Sequence, residues 1–152
     1  MSKKLPALPR EASFGWLVAV LGIDMASSLE RRLKPIGLNL TVWPTLFALW
    51  EEDGITQTEL AKRCRTANYT TTRGLDALEE KGLIKRHAHP TSRRTHLVYL
   101  TDAGRSLETQ GTNEAYAANE EFLSALTDAE REDIKRLIKK IIASRDSANN
   151  HR

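Results

Sequence analysis

From Thr56 to Leu100 the spacing of apolar residues switches from helical to strand-like, and few folds accommodate that switch in so short a stretch. TQTELAKRC, Thr56–Cys64, opens with Thr56 and Glu59 at capping-box spacing and has Leu60 and Ala61 for a buried side. ANYTTTRGLDALEEKG predicts a second helix from about Ala67 to Lys81, stopped by Gly82. Thr71, Leu75 and Leu78 mark its inward face, which leaves Asn68, Tyr69, Thr70, Thr72, Arg73 and Asp76 outward. LIKRHA, HPTSRR and THLVYL then read as a two-stranded basic ribbon turning at Pro90-Thr91-Ser92. Helix, short turn, helix and hairpin together make a winged helix-turn-helix. Its usual physical use is to lay one helix in a DNA groove with the hairpin arm beside it.

Charge agrees with that use. The whole chain of 152 residues carries +3, yet Thr56 to Leu100 alone holds nine cationic and four acidic side chains, so the flanks are slightly acidic. A basic middle between acidic ends argues for an anionic partner at the middle. Adjacent Arg93 and Arg94 at a hairpin tip repel each other unless an anion is near. Small hydroxyls, an amide and Arg73 on the second helix suit phosphate and base-edge contacts.

LTVWPTLFALWEEDGITQTELAKRC, TTTRGLDALEEKGLIKR and SRRTHLVYLTDAGR resemble the multiple-antibiotic-resistance regulator (MarR) family of bacterial transcription factors. The resemblance spans nearly the whole chain and is strongest from Leu40 to Gly104. It implies a DNA-binding repressor working as a homodimer on a palindromic operator of double-stranded DNA. It also implies a small aromatic or amphipathic effector bound between the dimer helices and the winged helix, for which Trp16, Trp43, Phe47 and Trp50 are candidate cleft residues. Arg94, assisted by Arg93, would reach a minor groove. Arg73, Thr70 and Thr72, beside Asn68 and Tyr69, would meet bases or phosphates, and Lys62, Arg65 and Arg86 would attract the backbone. Two positions depart from the family. Ser92 replaces the usual Asp before the tip arginine, which predicts a looser wing, and Arg65 replaces the usual Gly between the helices.

The flanks predict a mainly α fold with a small β-wing. Residues 1–10, with Lys3, Lys4, Pro6 and Pro9, read as a mobile arm, and residues 11–152 as a single domain. Within it the winged helix covers about 41–101, and dimerisation helices cover about 11–34 and 102–146. The first helix runs from about Glu11 to Lys34, with an apolar stripe from Phe14 to Leu33, and Pro35 ends it. Thr41 reads as the cap of the next helix, with Pro44 in its first turn. Thr101 caps a helix reaching about Leu126, polar and Ala-rich in the middle. Thr127 with Glu130 opens a last helix with Ile134, Leu137, Ile138, Ile141 and Ile142 on one face. Two terminal helices with apolar stripes suggest a two-fold dimer.

Other chemistries find less support. The chain has no Gly-rich phosphate loop, no G-x-S-x-G and no paired His at helical spacing, so it does not read as an enzyme. Strand spacing puts His87 and His89 on one side, but no cysteine or carboxylate lies near to complete a zinc site, and neither metal nor cofactor is expected. The wing histidines, His96 included, suit phosphate contact that strengthens at low pH. The single Cys64 excludes an internal disulfide and falls on the inward side of its helix, as a structural thiol; Arg63 and Arg65 beside it leave a redox sensor open. No apolar run spans a bilayer, so a cytoplasmic protein without membrane contact is expected. The alternative function is a winged helix used for protein contact or for non-specific nucleic-acid binding.

Overall fold

The structure, a computed structural model, describes residues 8–149, with the Arg93 and Asn149 side chains outside the description. Most of the arm expected over residues 1–10, Lys3 and Lys4 included, lies outside the described residues. The described chain is mostly helical, with one small sheet. Its described residues fall into two compact units that divide between Ala118 and Asn119.

In the first unit, helix α1 is Phe14–Leu33. It starts later than Glu11 because Ser13 caps it, its hydroxyl accepting from Trp16 N–H at 3.4 Å, while Arg10–Ala12 forms a separate 3-10 turn. It ends at Leu33 with Lys34 as its C-cap, just before Pro35 as expected, and a 3-10 turn, Lys34–Ile36, follows and stops at Gly37 with φ +75°. Helix α2 is Trp43–Glu51, with Pro44 in its first turn. Its N-cap is Val42, not Thr41, and no side chain caps it; in the turn before the helix the Asn39 amide oxygen accepts from Thr41 N–H at 3.0 Å and Val42 N–H at 3.2 Å. An Asn side chain reaching two and three residues ahead makes the same turn that Thr41 was expected to start.

Strand β1, Ile55–Thr56, precedes helix α3, Gln57–Cys64, and helix α4, Asn68–Glu80. Thr56 caps α3, its hydroxyl accepting from Glu59 N–H at 3.1 Å, worth about 1 kcal/mol. Strands β2, Ile84–His89, and β3, Ser92–Leu100, form the wing. The expected two-stranded ribbon is a three-stranded antiparallel sheet in the order β1-β3-β2. Ile55 pairs with Val98 on one side of β3, and Ile84 pairs with Leu100 on the other. Two residues before a capped helix give no strand period, so β1 was not legible alone.

One core joins these elements. Leu46, Leu60, Leu75, Leu78, Ile84 and Val98 are each 1% exposed or less. Burying such side chains stabilises by roughly 1.5–3 kcal/mol each. Asp53 then fastens the sheet to α2: one carboxylate oxygen accepts from Leu100 N–H at 2.8 Å and from Arg105 at 2.7 Å.

The long helix expected from Thr101 is two, α5, Asp102–Ser106, and α6, Glu108–Phe122. The break coincides with Trp50, whose Nε1–H donates to Gly104 O at 2.9 Å, the carbonyl an unbroken helix would offer to Glu108. Thr101 does cap α5, accepting from Gly104 N–H at 3.1 Å. The N-terminal half of α1 leaves an apolar face open: Phe14 is 64% exposed, and Leu17, Val18 and Leu21 are also exposed.

The second unit contains helix α7, Asp128–Asn149. Its capping box forms in both directions. Glu130 accepts from Thr127 N–H at 2.8 Å, and the Thr127 hydroxyl accepts from Glu130 N–H at 3.4 Å. The Thr127 backbone and hydroxyl together hold the Glu130 carboxyl below its ordinary range. Leu137, Ile138, Ile141 and Ile142 are exposed along one face of α7.

Gly104 marks the tightest joint between α5 and the wing, since a Cβ there would lie 2.1 Å from Leu83 O. Backbone cannot yield as a side-chain tip can. Gly104→Ala is expected to lower unfolding free energy by roughly 2–3 kcal/mol, read from urea titration; an unchanged midpoint would mean that this joint opens freely.

Candidate nucleic-acid interface

The outward face of α4 is assembled as its spacing requires. Asn68, Tyr69, Thr70, Arg73 and Asp76 are exposed, whereas Thr71, Gly74, Leu75 and Leu78 are buried. Thr71 is held by the Thr66 hydroxyl at 2.8 Å. Thr72 is half-buried and braced between helices: it accepts from Gln57 Nε2 at 2.5 Å and donates to Asn68 O at 2.8 Å. Tyr69 is 69% exposed, and the Arg73 guanidinium lies over its ring at 5.8 Å while donating to its hydroxyl at 3.4 Å. An exposed pair already ordered against itself loses less rotamer freedom on meeting a ligand.

Between α3 and α4, Arg65 takes a left-handed conformation at φ +52°, the one non-glycine residue with positive φ among the described residues. An L side chain there costs about 1 kcal/mol, which is why this turn suits Gly. Lys62 is exposed on α3. Arg63 bridges Glu52 at 2.6 Å and Glu59 at 3.2 Å.

Arg86, expected to attract a DNA backbone, is instead held against α4. It forms an ion pair with Asp76, and its Nε lies 3.6 Å from Glu79. Wing and helix are clamped together, and two acids near the outward face are neutralised. The expectation missed this because Asp76 and Arg86 meet only through the fold.

At the wing tip Arg94 is exposed. The tip has ties of its own where an acid was expected to be missed. Ser92 and Thr95 hydroxyls lie 2.9 Å apart, and His89 Nδ1 accepts from Thr91 N–H at 3.3 Å. The pairing register shifts at the tip, where the single step from Ala88 to His89 on β2 faces the stretch from His96 to Ser92 on β3. His87 packs edge-on against Tyr99 at 5.3 Å. Among the described residues no group of three His, Cys, Asp or Glu is placed to hold a metal ion.

A polar cleft of about 250 Å³ opens where the first turns of α3 and α4 meet β3. Gln57, Thr58, Asn68, Arg94, Thr95 and His96 line it. Sequence reasoning singled out Asn68 and Arg94 but passed over Gln57, Thr58 and Thr95, which nothing local distinguishes from an ordinary helix start and strand.

Three of the four candidate cleft aromatics come together in the first unit. Trp43 stacks on Phe47 at 5.1 Å and meets Trp50 edge-on at 5.7 Å. Trp43 is buried and Phe47 is 42% exposed, so the cluster has an open edge. Trp16 packs under the Arg10 guanidinium, 5.3 Å away.

Comparison with known proteins agrees with this geometry. The MarR family model matches residues 38–96. The HTH-type transcriptional repressor Rv2887 of Mycobacterium tuberculosis is 28% identical over 134 residues, 88% of this chain and 96% of that protein. The crystal structure of Rv2887 in complex with salicylic acid has a TM-score of 0.70, covering 86% of this chain and 96% of that one. The structure of the S. aureus MepR–DNA complex is 25% identical with a TM-score of 0.78, covering 87% of this chain and 98% of that one.

Cys64 is half-buried, and its thiol donates to Pro44 O at 3.3 Å. Burial pushes the thiol up, opposed by a weaker contact with Thr45. A raised thiol holds its proton at neutral pH, and only the thiolate attacks. Iodoacetamide should therefore modify Cys64 several-fold more slowly than free cysteine at pH 7.5, with the rate still climbing above pH 9. A rate equal to or faster than free cysteine would revive the sensor reading.

Proposed function

We propose that this chain, which matches the MarR family model over residues 38–96, is a homodimeric repressor of that family that binds a palindromic operator and is released by a small aromatic effector. The observation that carries this reading is the exposed α4 face beside Arg94, in a unit whose neighbouring acids are already engaged by Arg63 and Arg86. Acids left free there would repel DNA.

Helix α4 enters the major groove of each half-site. Asn68, Tyr69, Thr70 and Arg73 meet base edges and phosphates, with Thr72 as the brace that sets their height. The wing carries Arg94, with Arg93, to the adjacent minor groove, and Lys62 and Arg65 attract the backbone. The DNA-bound state of MepR supports this docking. Two copies associate through the open apolar faces of the terminal helices, so that residues 11–34 and 102–146 serve the dimer and residues 41–101 read DNA. Such a protein binds and releases without transforming a substrate, so no residue has a catalytic role, and it works in the cytoplasm where its DNA lies.

The effector site is the open edge of the Trp43–Phe47–Trp50 cluster. Rv2887 in complex with salicylic acid supports an aromatic anion as the chemical class. A ligand releases DNA only if it binds better to the DNA-free shape. The cluster is tied toward the wing through Trp50 and Gly104, which gives such a preference a route.

Two outcomes are expected. Arg94→Ala should weaken binding to the DNA upstream of the protein's own gene by roughly 1–3 kcal/mol and lower the salt slope by about one unit. Normal affinity and slope would remove the wing from the interface. Salicylate should quench tryptophan emission and weaken DNA binding over the same concentration range. Quenching without loss of DNA affinity would reveal a pocket with no switch.

A further inference from the structure

The geometry points to a carboxylate-binding end of the effector site, built from Ser28 and Arg32 on α1, where the acid group of an aromatic carboxylate displaces Glu114 of α6 from Arg32. This end rests on the effector reading, in which Trp43, Phe47 and Trp50 offer rings to the ligand but no charge. The inner face of α6 links the rings to a charge. Gly111 lies so close to the cluster that a Cβ there would stand 2.7 Å from the Trp50 ring and 3.2 Å from the Trp43 ring. Glu114 is three residues on, hence on the same face of the helix and about 4.5 Å further along its axis. It forms an ion pair with Arg32 at 3.6 Å. A ring lying against the cluster thus puts a carboxylate attached to it within reach of that pair.

Two properties of the pair favour exchange. Its 3.6 Å separation exceeds the length of a charge-assisted hydrogen bond, about 2.7–2.9 Å, so a carboxylate that approaches the guanidinium more closely gains more than Glu114 does. The side chains of Arg32 and Glu114 are 30% and 33% exposed, so a solute can reach them. Ser28 supplies a second donor. It stands one turn before Arg32 on the same face of α1. The residue is 8% exposed, and its hydroxyl has no hydrogen-bond partner among the described residues. Buried hydroxyls are ordinarily bonded. A hydroxyl held out of water one turn from a guanidinium suits a carboxylate, whose two oxygens can divide between them. The exchange also unfastens α6 from α1, a change that ring contacts alone would not make. It gives the ligand a ground for preferring one shape of the protein over another.

Salicylate and its uncharged analogue salicylamide serve as probes, with binding to the whole protein read by calorimetry. The wild type should bind salicylate about tenfold more tightly than salicylamide, or better. Arg32→Gln should erase that preference, and Ser28→Ala should weaken salicylate binding about fivefold while leaving salicylamide where it was. Glu114→Gln removes the competitor and should tighten salicylate binding by about two- to fivefold. A variant damaged in its fold cannot show such a gain. A wild type that binds salicylamide as tightly as salicylate would overturn the carboxylate end and leave the aromatic cluster standing as the effector site. Salicylate affinity unmoved by Arg32→Gln or by Ser28→Ala would do the same. Unchanged or weaker salicylate binding in Glu114→Gln would make the ion pair a structural tie that no ligand displaces, and would overturn the exchange. A wild type that binds neither probe would overturn both this end and the effector reading.

Discussion

Val98 sits where the reading helix and the wing are joined. It is fully buried, it pairs with Ile55 on one side, and it pairs with Arg86 on the other. Along β3, His96 lies one strand period from it, so burying Val98 fixes which side of the strand His96 occupies. A one-residue slip would turn His96 away from the cleft it lines. The short strand β1 therefore has an effect beyond its length. It holds β3 from the far side, immediately before the turn into α3, and thereby ties the first helix of the pair to the wing.

The charges follow the same economy of placement. Glu52 and Glu59 share Arg63, while Asp76 and Glu79 share Arg86. These pairs are partly exposed and add little to stability. Their consequence is electrostatic: Glu52, Glu59, Asp76 and Glu79 are neutralised in place, and the exposed cations Lys62, Arg73 and Arg94 face solvent without them. Arg86 also ties β2 to α4 through its ion pair with Asp76. Asp53, bonded to both Leu100 and Arg105, fixes the other end of the wing.

Local signals told most of the helical story. Thr56, Thr101 and Thr127 cap where their spacing indicates, and Gly82 stops α4 with φ +69°. The misreadings share a cause. Thr41 does not cap α2 because the Asn39 side chain makes the turn before it, and only geometry chooses between the two. Trp50 meets Gly104 across a long sequence interval, so the break at Leu107 left no trace in the pattern of α5 and α6. The Arg86 clamp and the polar cleft likewise exist only once β2 and β3 are laid against the helices. Residue type marked Asn68 and Arg94 as candidate contacts; nothing short of the fold could place Thr58 beside His96.

The central claim is that α4 and its wing read DNA as a two-fold pair. Selecting bound duplexes from a random-sequence pool tests it most directly. An inverted repeat with half-site centres about 10 base pairs apart is the predicted result. Enrichment of no common sequence, or of a single site without a dyad, would contradict it.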